Sequence, residues 1–315
     1  MKHALKITII LLAMFVVTQL IGLLIINADP LKVDVLNQDG TIEEISNPYL
    51  YLITPPEAKT QMDFVSFFTQ IIIAFILAII ILFLLMRFKL EFFIKGWFFL
   101  VVFVALFISF LAFEKIVPFA IDLKVALISA LVFALVFAYL KIYRKGIIIH
   151  NLTELLIYPG IAAIFVPLLN IYFVLALLVI ISIYDAWAVW KSGIMQKMAK
   201  YQMNKLNLFS GFLIPYISSK VKAKLKLMKK SKSKKKIKVN VAILGGGDVV
   251  FPIITAGVVM RSLGIIPALF VVLGATLGLS YLFFFAEKKK FYPAMPFITF
   301  GILLSLGLYW AINLF

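Results

Sequence analysis

Long apolar runs separated by short polar segments make up most of the chain. A transmembrane helix needs about 20 mostly apolar residues, and nine runs of suitable length can be distinguished. Prolines interrupt the fifth run, which neighbouring membrane helices tolerate, and the seventh run is rich in glycine. The pattern predicts an all-α membrane protein with nine transmembrane helices, at Leu5–Ile26, Phe64–Met86, Trp97–Phe113, Val125–Leu140, Leu155–Leu169, Ile171–Trp190, Val239–Met260, Ile265–Ala286 and Phe291–Phe315.

The first run is interpreted as a retained span. It is longer than the core of a signal peptide, and the residues after it, Asn27-Ala28-Asp29-Pro30, do not form the small-residue cleavage pattern.

Basic residues between the predicted spans indicate the orientation of the chain, because Lys and Arg are enriched on the cytoplasmic side of membrane proteins. With the N-terminus inside, 26 of the 31 Lys and Arg residues fall in cytoplasmic segments. The outer loop 27–63 instead carries seven acidic residues. We therefore expect a multi-pass protein of the cell membrane with a cytoplasmic N-terminus and an extracellular C-terminus.

Residues 191–238 form the longest polar segment, with 15 Lys and no Arg, Asp or Glu. We interpret it as a cytoplasmic loop that orients the protein and contacts anionic lipid headgroups, at about 1 kcal/mol per Lys near the surface. Membrane topology explains this charge, so no nucleic-acid partner is expected. The sequence then divides into residues 1–190 with helices one to six, the basic loop 191–238, and residues 239–315 with helices seven to nine, all within one integral membrane domain.

The amino-acid composition excludes several classes of protein and kinds of site. The chain is 64% apolar, against roughly 45–50% in ordinary soluble domains, which excludes a soluble enzyme. There are no Cys, so disulfides, thiolate catalysis and Cys-based zinc sites are excluded. The two His, His3 and His150, are far apart in sequence, and neither a metal site nor another cofactor is expected.

Three acidic residues lie in or at the ends of predicted spans, where an ionisable group costs a few kcal/mol and is a functional candidate. Glu154 is expected to face water at the cytoplasmic start of span five, near the positive helix end. Asp185 lies near the cytoplasmic end of span six, and Asp248 lies in span seven. Because these two spans run antiparallel, both Asp residues can face each other toward the cytoplasmic side.

Two facing carboxylates can carry out hydrolysis. At about 3 Å apart they hold one shared proton and titrate as a unit. The charged member can take a proton from a water molecule while the neutral member protonates the amide oxygen, as in aspartic proteases. The residues alone leave open that each Asp pairs with another group or lines an ion path.

Two further segments suit a protease. Gly245-Gly246-Gly247 should loosen the helix before Asp248, since each Gly costs about 1 kcal/mol in a helix interior, and missing side chains admit another backbone. Close helix packing is the alternative reading of these glycines. The segment Tyr292-Pro293-Ala294-Met295-Pro296 can border a cleft between spans six and seven, although Pro is also ordinary in a first helical turn.

Taken in order, Tyr184-Asp185, Gly245-Gly246-Gly247-Asp248 and Pro293-Ala294-Met295-Pro296 resemble the YD, GxGD and PAL motifs of the presenilin and signal peptide peptidase family. The resemblance covers essentially the whole chain, since the nine spans and the long loop between spans six and seven match too. It implies a presenilin-like fold and an intramembrane aspartic endopeptidase with Asp185 and Asp248 as catalytic residues. It further implies that Tyr184, Gly245, Gly246, Gly247, Pro293, Ala294, Met295 and Pro296 shape the active site or contact substrate.

The chain departs in two ways from the pattern of a single branch of this family. Met295 replaces the Leu of the third motif, a change close in volume and apolarity. The residues after Asp248 look like signal peptide peptidases, whereas the charge-derived orientation looks like presenilins. Together with the absence of Cys, these features suit a prokaryotic, archaeal-type homologue that acts without accessory subunits. The implied partners are transmembrane-helix substrates and the lipid bilayer, and a homo-oligomer is compatible with the many apolar faces.

Two alternatives remain open from the sequence. A prepilin-type peptidase also uses a GxGD-like aspartate, but usually has fewer spans and lacks the Pro-Ala-Leu element. A transporter or cation channel could use Asp185 and Asp248 as ion ligands, since Gly-rich broken spans with buried acids occur in transporters. No internal repeat between the two halves supports that alternative.

Overall fold

The protein is mainly a bundle of long helices. The computed structural model describes residues 5–36, 41–56, 58, 60–117, 122–144, 146–192, 209–216, 240–286 and 292–313. Within these ranges lie nine α-helices: α1 (Leu5–Ala28), α2 (Gln61–Arg87), α3 (Glu91–Ile116), α4 (Leu123–Tyr143), α5 (Ile147–Phe165), α6 (Ile171–Trp187), α7 (Gly247–Leu263), α8 (Ile265–Phe285) and α9 (Met295–Asn313). The prediction of a helical membrane protein is confirmed.

Eight of the helical segments in the described part of the chain are long and apolar enough to cross a bilayer. The remaining helix, α7, has 17 residues and a length of about 25 Å at 1.5 Å per residue. A length of 17 residues lies at the short end of the range for spanning helices, which is about 17–25 residues. Helix α7 is short because the residues before it, Asn240–Gly245, form a strand.

Four short strands accompany the helices in the described ranges. Strands β1 (Lys32–Leu36) and β2 (Ile42–Ser46) form an antiparallel pair after α1. Strands β3 (Gly211–Tyr216) and β4 (Asn240–Gly245) form a second antiparallel pair, in which Gly211 is opposite Gly245 and Tyr216 is opposite Asn240. The second pair joins the loop after α6 to the start of α7.

The expected helix from residue 239 is therefore wrong for Asn240–Gly245, which is a strand. Helix α7 begins only at Gly247. Three consecutive glycines oppose helix formation, while the β-branched residues Val241 and Ile243 suit a strand. The partner strand β3 lies inside the predicted basic loop, so that part of the loop is ordered against the bundle.

Helix α5 lies at the centre of the bundle and packs against α1, α3, α4 and α7. It begins at Ile147, earlier than the expected Leu155, because its first turns are held by α4 and β3 instead of facing water. Helices α8 and α9 form another close pair. Helix α2 lies at the periphery, where none of its residues is buried.

Small residues set the closest helix contacts. The backbones of α8 and α9 meet at Gly274, Gly278 and Gly301, where an added Cβ would collide with the facing backbone. A Cβ at Gly160 of α5 would likewise collide with the backbone of Ala105 in α3. This is the small-residue packing that lets membrane helices approach each other.

Candidate active site

The carboxylate of Asp185 is held at the start of α9. Asp185 is 7% exposed, and its Oδ2 accepts a hydrogen bond of 3.1 Å from the amide of Met295. Pro293 and Ala294 are not helical, and Met295 is the first residue of α9, so this amide has no partner within its own helix. A helix N-terminus carries partial positive charge that attracts a carboxylate.

A second contact joins the same two helices. The hydroxyls of Ser182 and Thr299 are buried and lie 2.7 Å apart. Ser182 precedes Asp185 by three residues on α6, and Thr299 follows Met295 by four residues on α9, so both bonds lie along one helix–helix seam. Two consecutive bonds fix Asp185 against the beginning of α9.

Asp248 also lies at a helix N-terminus. It is the second residue of α7, two residues after the Gly246 cap, and it is half-buried. Helix α6 packs against both α7 and α9, so the three helices that carry the segments singled out in the sequence, or that follow them, are neighbours in the bundle. Each Asp residue thus lies beside the positive end of a helix, its own in the case of Asp248 and that of α9 in the case of Asp185.

Helix α1 supports the first turn of α7. The buried amide of Gln19 donates a hydrogen bond of 3.0 Å from Nε2 to the carbonyl oxygen of Val249, next to Asp248. Sequence reasoning missed Gln19, although a fully buried amide in an apolar span is itself a signal, because it needs a specific partner.

The three glycines before Asp248 are in different environments. A Cβ at Gly246 would lie 2.7 Å from Ser210 Oγ and 2.8 Å from Tyr158 Oη. A Cβ at Gly245 would lie 3.1 Å from Asp248 Oδ2, whereas one at Gly247 would have its nearest neighbour at 3.7 Å. Gly246 is therefore the position where a side chain cannot be accommodated, and its amide also donates to the carbonyl of Ser210 at 3.3 Å.

Backbone direction in β4 follows from the contacts of β3. The amide and carbonyl groups of Gly211 and Leu213 bond to side chains of α5, so they point away from β4. Along each strand of an antiparallel pair, the backbone amide and carbonyl groups of successive residues point alternately toward and away from the partner strand. Two residues that lie opposite each other point either both inward or both outward. The amide and carbonyl groups of Val241, Ile243 and Gly245 therefore point to the outer edge of β4, which has no strand partner among the described residues.

The remaining predicted residues border this region. Pro293, Ala294 and Met295 are buried, and Pro296 is half-buried in the first turn of α9. Tyr184 points toward α2, where its ring meets that of Phe75 edge to face at a centroid distance of 5.6 Å.

An apolar cavity of about 500 Å³ separates α2 from α5, α6 and α7. Its walls include Val250 and Phe251, the second and third residues after Asp248. An apolar space thus extends from the lipid-facing helix α2 to the turn of α7 that carries Asp248.

The expectation that Glu154 faces water is wrong. Glu154 is 1% exposed, and its Oε1 accepts hydrogen bonds from Lys141 Nζ at 2.5 Å and from the Gly211 amide at 3.2 Å. The reason is that β3 covers this end of α5. The strand had a sequence signal, the short apolar run Phe212-Leu213-Ile214 between Gly211 and Pro215, but the surrounding lysines favoured a loop on the membrane surface.

Comparison with known proteins agrees with this arrangement. The model of the family described as signal-peptide peptidase, presenilin aspartyl protease matches residues 54–310. A search of curated proteins gives no match.

Two solved structures of a presenilin family intramembrane aspartate protease share the fold. The structure in space group C222 is 18% identical in sequence, with a TM-score of 0.60, and the match covers 97% of this chain and 99% of the other. The structure in space group P2 is 20% identical, with a TM-score of 0.57 and 96% of each chain covered. The family model spans most of the sequence, so this chain belongs to the signal-peptide peptidase and presenilin aspartyl protease family and is a multi-pass membrane peptidase.

Proposed function

We propose that the protein cleaves peptide bonds within transmembrane segments of other membrane proteins, with Asp185 and Asp248 as the catalytic pair and water as the nucleophile. The observation that carries this proposal is the hydrogen bond from the Met295 amide to Asp185. Asp185 lies on α6, which packs against α7, the helix that has Asp248 in its first turn. This one contact joins the segments of two of the three family motifs, and the helix that carries the third motif packs against α6.

The chemistry requires one proton on the pair. The ionised carboxylate takes a proton from water as its oxygen attacks the substrate carbonyl carbon, and the protonated carboxyl gives its proton to the carbonyl oxygen. The resulting tetrahedral diol collapses when the C–N bond breaks: the protonated carboxyl gives its proton to the amide nitrogen, and the ionised carboxylate takes a proton from a diol hydroxyl, which restores the single proton of the pair. Helix N-termini at both carboxylates stabilise the negative charge that the pair carries throughout.

A helical substrate has to be unwound before this reaction, because its amides are bonded to each other and shielded. The outer edge of β4 supports an extended binding mode. Its outward amide and carbonyl groups, at Val241, Ile243 and Gly245, can pair with a substrate strand, and Gly245 is three residues from Asp248. Gly245–Gly247 and the Pro293–Pro296 segment then border the bound strand, with Tyr184 nearby toward α2.

The substrate reaches this edge from the lipid in our proposal. The apolar cavity behind α2 has a volume of about 500 Å³, and α2 makes few contacts with the bundle. A single apolar helix can therefore approach Asp248 between α2 and α6 without crossing water.

Charge distribution supports the remaining assignments. We propose that the N-terminus and the basic loop 191–238 are cytoplasmic, that the C-terminus is extracellular, and that the protein resides in the cell membrane. The units 1–190, 191–238 and 239–315 would then act as one membrane domain, since β3 from the second unit pairs with β4 from the third. In this orientation, the family resemblance implies substrates with their N-terminus outside.

A cleavage assay tests the catalytic pair. Purified protein in liposomes is mixed with a single-span peptide, and fragments are identified by mass spectrometry. Asp185→Asn and Asp248→Asn should each lower the rate by at least about a thousandfold while unfolding at the wild-type temperature. Asp122→Asn, a helix cap at the other end of the bundle where Asn serves as well, is the control. Wild-type cleavage by either dyad variant would refute the proposal.

The alternative hypothesis, a transporter or cation channel, can be tested in the same liposomes. Gradient-driven ion flux lost in both Asp variants, with no peptide fragments from the wild type, would replace the protease proposal.

A further inference from the structure

A partly buried polar cluster on α4 and α5 takes no part in the proposed chemistry. It consists of Lys141, His150, Asn151 and Glu154, and is called the α5 cluster below. The side chains of Glu154 and Lys141 are only 1% and 6% exposed and form an ion pair. A buried ion pair is costly to desolvate and is weak evidence of a stabilising role, so its contacts have to explain its presence.

Among the described residues, the side-chain hydrogen bonds that the cluster makes to elements other than α4 and α5 all reach the outer edge of β3. Glu154 Oε1 accepts from the Gly211 amide at 3.2 Å, and the Gly211 carbonyl oxygen lies 2.8 Å from His150 Nε2. A carbonyl oxygen only accepts, so the proton of the ring is on Nε2. The other ring nitrogen, Nδ1, then faces Lys141 Nζ at 3.4 Å as an acceptor.

Asn151 continues the same edge. Its Nδ2 donates to the Leu213 carbonyl at 2.8 Å, and its Oδ1 accepts from the Leu213 amide at 3.0 Å. One side-chain amide thereby makes both bonds that a residue of a neighbouring strand would make.

The outer edge of β3 is closed as a result. The residues whose backbone points outward are Gly211, Leu213 and Pro215, and Pro215 has no amide hydrogen to offer. An unpaired sheet edge is a template for another strand. Of the two edges of this small sheet, only that of β4 has outward amide groups without such partners in the part of the chain that the structure describes.

The antiparallel pair of β3 and β4, called the hairpin below, is also connected to the catalytic region at the end where Gly211 is opposite Gly245. Ser210 precedes Gly211, and its carbonyl oxygen accepts from the amide of Gly246 at 3.3 Å. The ring of Tyr158, one turn after Glu154 on α5, meets Phe212 of β3 edge to face at 5.8 Å. A displacement of β3 from α5 would therefore move the residues that lead to Asp248.

We infer that the α5 cluster is a positioning site for substrate: it closes the edge of β3, directs the substrate strand to the edge of β4, and fixes its register relative to Asp248. This inference rests on the proposed function. The cluster acts through the hairpin and touches neither substrate nor water in the reaction.

The register of the bound substrate, measured as the position of the cut, distinguishes a positioning role of the cluster from a purely structural one. Loss of a purely structural contact would not move the cut. Asn151→Leu keeps the approximate volume but loses both bonds to Leu213, and Glu154→Gln keeps an acceptor for Gly211 but loses the charge that faces Lys141. Leu152→Ala, at a neighbouring position that is 47% exposed, is the control. Each variant is assayed with a single-span peptide in liposomes for KM, kcat and the position of every cut, and for amide exchange by mass spectrometry.

We expect Asn151→Leu and Glu154→Gln to raise KM about tenfold, to spread cleavage over neighbouring peptide bonds, and to speed amide exchange in 209–216 about tenfold. Leu152→Ala should match the wild type in all three. Cleavage of the same single bond with unchanged KM and exchange would overturn the inference.

Failure of the proposed function has a different signature. A wild-type enzyme that cuts no peptide would refute the protease proposal. Amide exchange in 209–216 would then be the remaining test of whether the cluster holds β3. Unchanged exchange in Asn151→Leu would show that the cluster does not hold β3.

Discussion

Ser182 of α6 and Thr299 of α9 share a buried hydrogen bond of 2.7 Å beside the one that joins Asp185 to Met295. The pair lies away from any reacting atom in the proposed mechanism. It links the two helices whose relative position determines where the Asp185 carboxylate lies, and it can be removed without touching the carboxylate itself.

Replacing Ser182 by Ala tests this link. Removing the hydroxyl leaves that of Thr299 without its partner across the seam, so we expect the free energy of unfolding to fall by about 1 kcal/mol and kcat to fall severalfold. Thermal unfolding in one detergent and the peptide assay measure the two effects. Ser280→Ala is the matched control, because Ser280 bonds only within its own helix, to Thr276. Equal behaviour of the two variants would contradict the assigned role.

Adjacent glycines before Asp248 should differ sharply in tolerance. Gly246→Ala forces a methyl group against Ser210 and the buried Tyr158, so we expect a loss of about 1–3 kcal/mol in stability and of most activity. Gly247→Ala has room for its methyl group and should stay within about 0.5 kcal/mol of the wild type. Unfolding of both proteins in the same detergent measures the difference. A tolerated Gly246→Ala would show that Tyr158 can move aside.

The α8–α9 contact depends on glycine at specific positions. A side chain at Gly301 would collide with the backbone of Gly274. We expect Gly301→Val to lower stability by about 2 kcal/mol or more, since the helices would have to separate. Gly307→Val, on the same helix with open space around it, carries the same β-branched side chain without the collision. A comparable loss in both variants would mean that helix propensity, and not packing, is responsible.

Orientation can be tested cleanly because the chain contains no Cys. Tyr51→Cys lies at a site that is 85% exposed before α2, and Tyr143→Cys at one that is 57% exposed at the end of α4. We expect a membrane-impermeant maleimide to label Tyr51→Cys in intact cells, and to label Tyr143→Cys only after permeabilisation. The opposite labelling pattern would invert the proposed topology and the side from which substrate is read.

The sequence was sufficient for the helices and insufficient for the hairpin, for a physical reason. Hydrophobic runs of spanning length predict helices one at a time, and Asp185 and Asp248 are conspicuous because a carboxylate in such a run is costly. Strand β4 depends on a partner that begins 29 residues before it, and no local pattern reveals that pairing. Glu154 was misread for the same reason: its burial comes from β3, and a helix-end carboxylate looks solvated until its cover is known.

Strand β4 also has a consequence for hydration. A helix satisfies its own backbone, whereas the outer edge of β4 presents amides and carbonyls that would each cost several kcal/mol against hydrocarbon. Without bound substrate, the enzyme is therefore stable only if water hydrates the outer edge of β4, which ends three residues before Asp248. In the proposed mechanism, the unpaired backbone of β4 thus keeps the water for hydrolysis near the carboxylates. An arriving substrate strand would displace most of this water and leave the molecule that the two Asp residues activate.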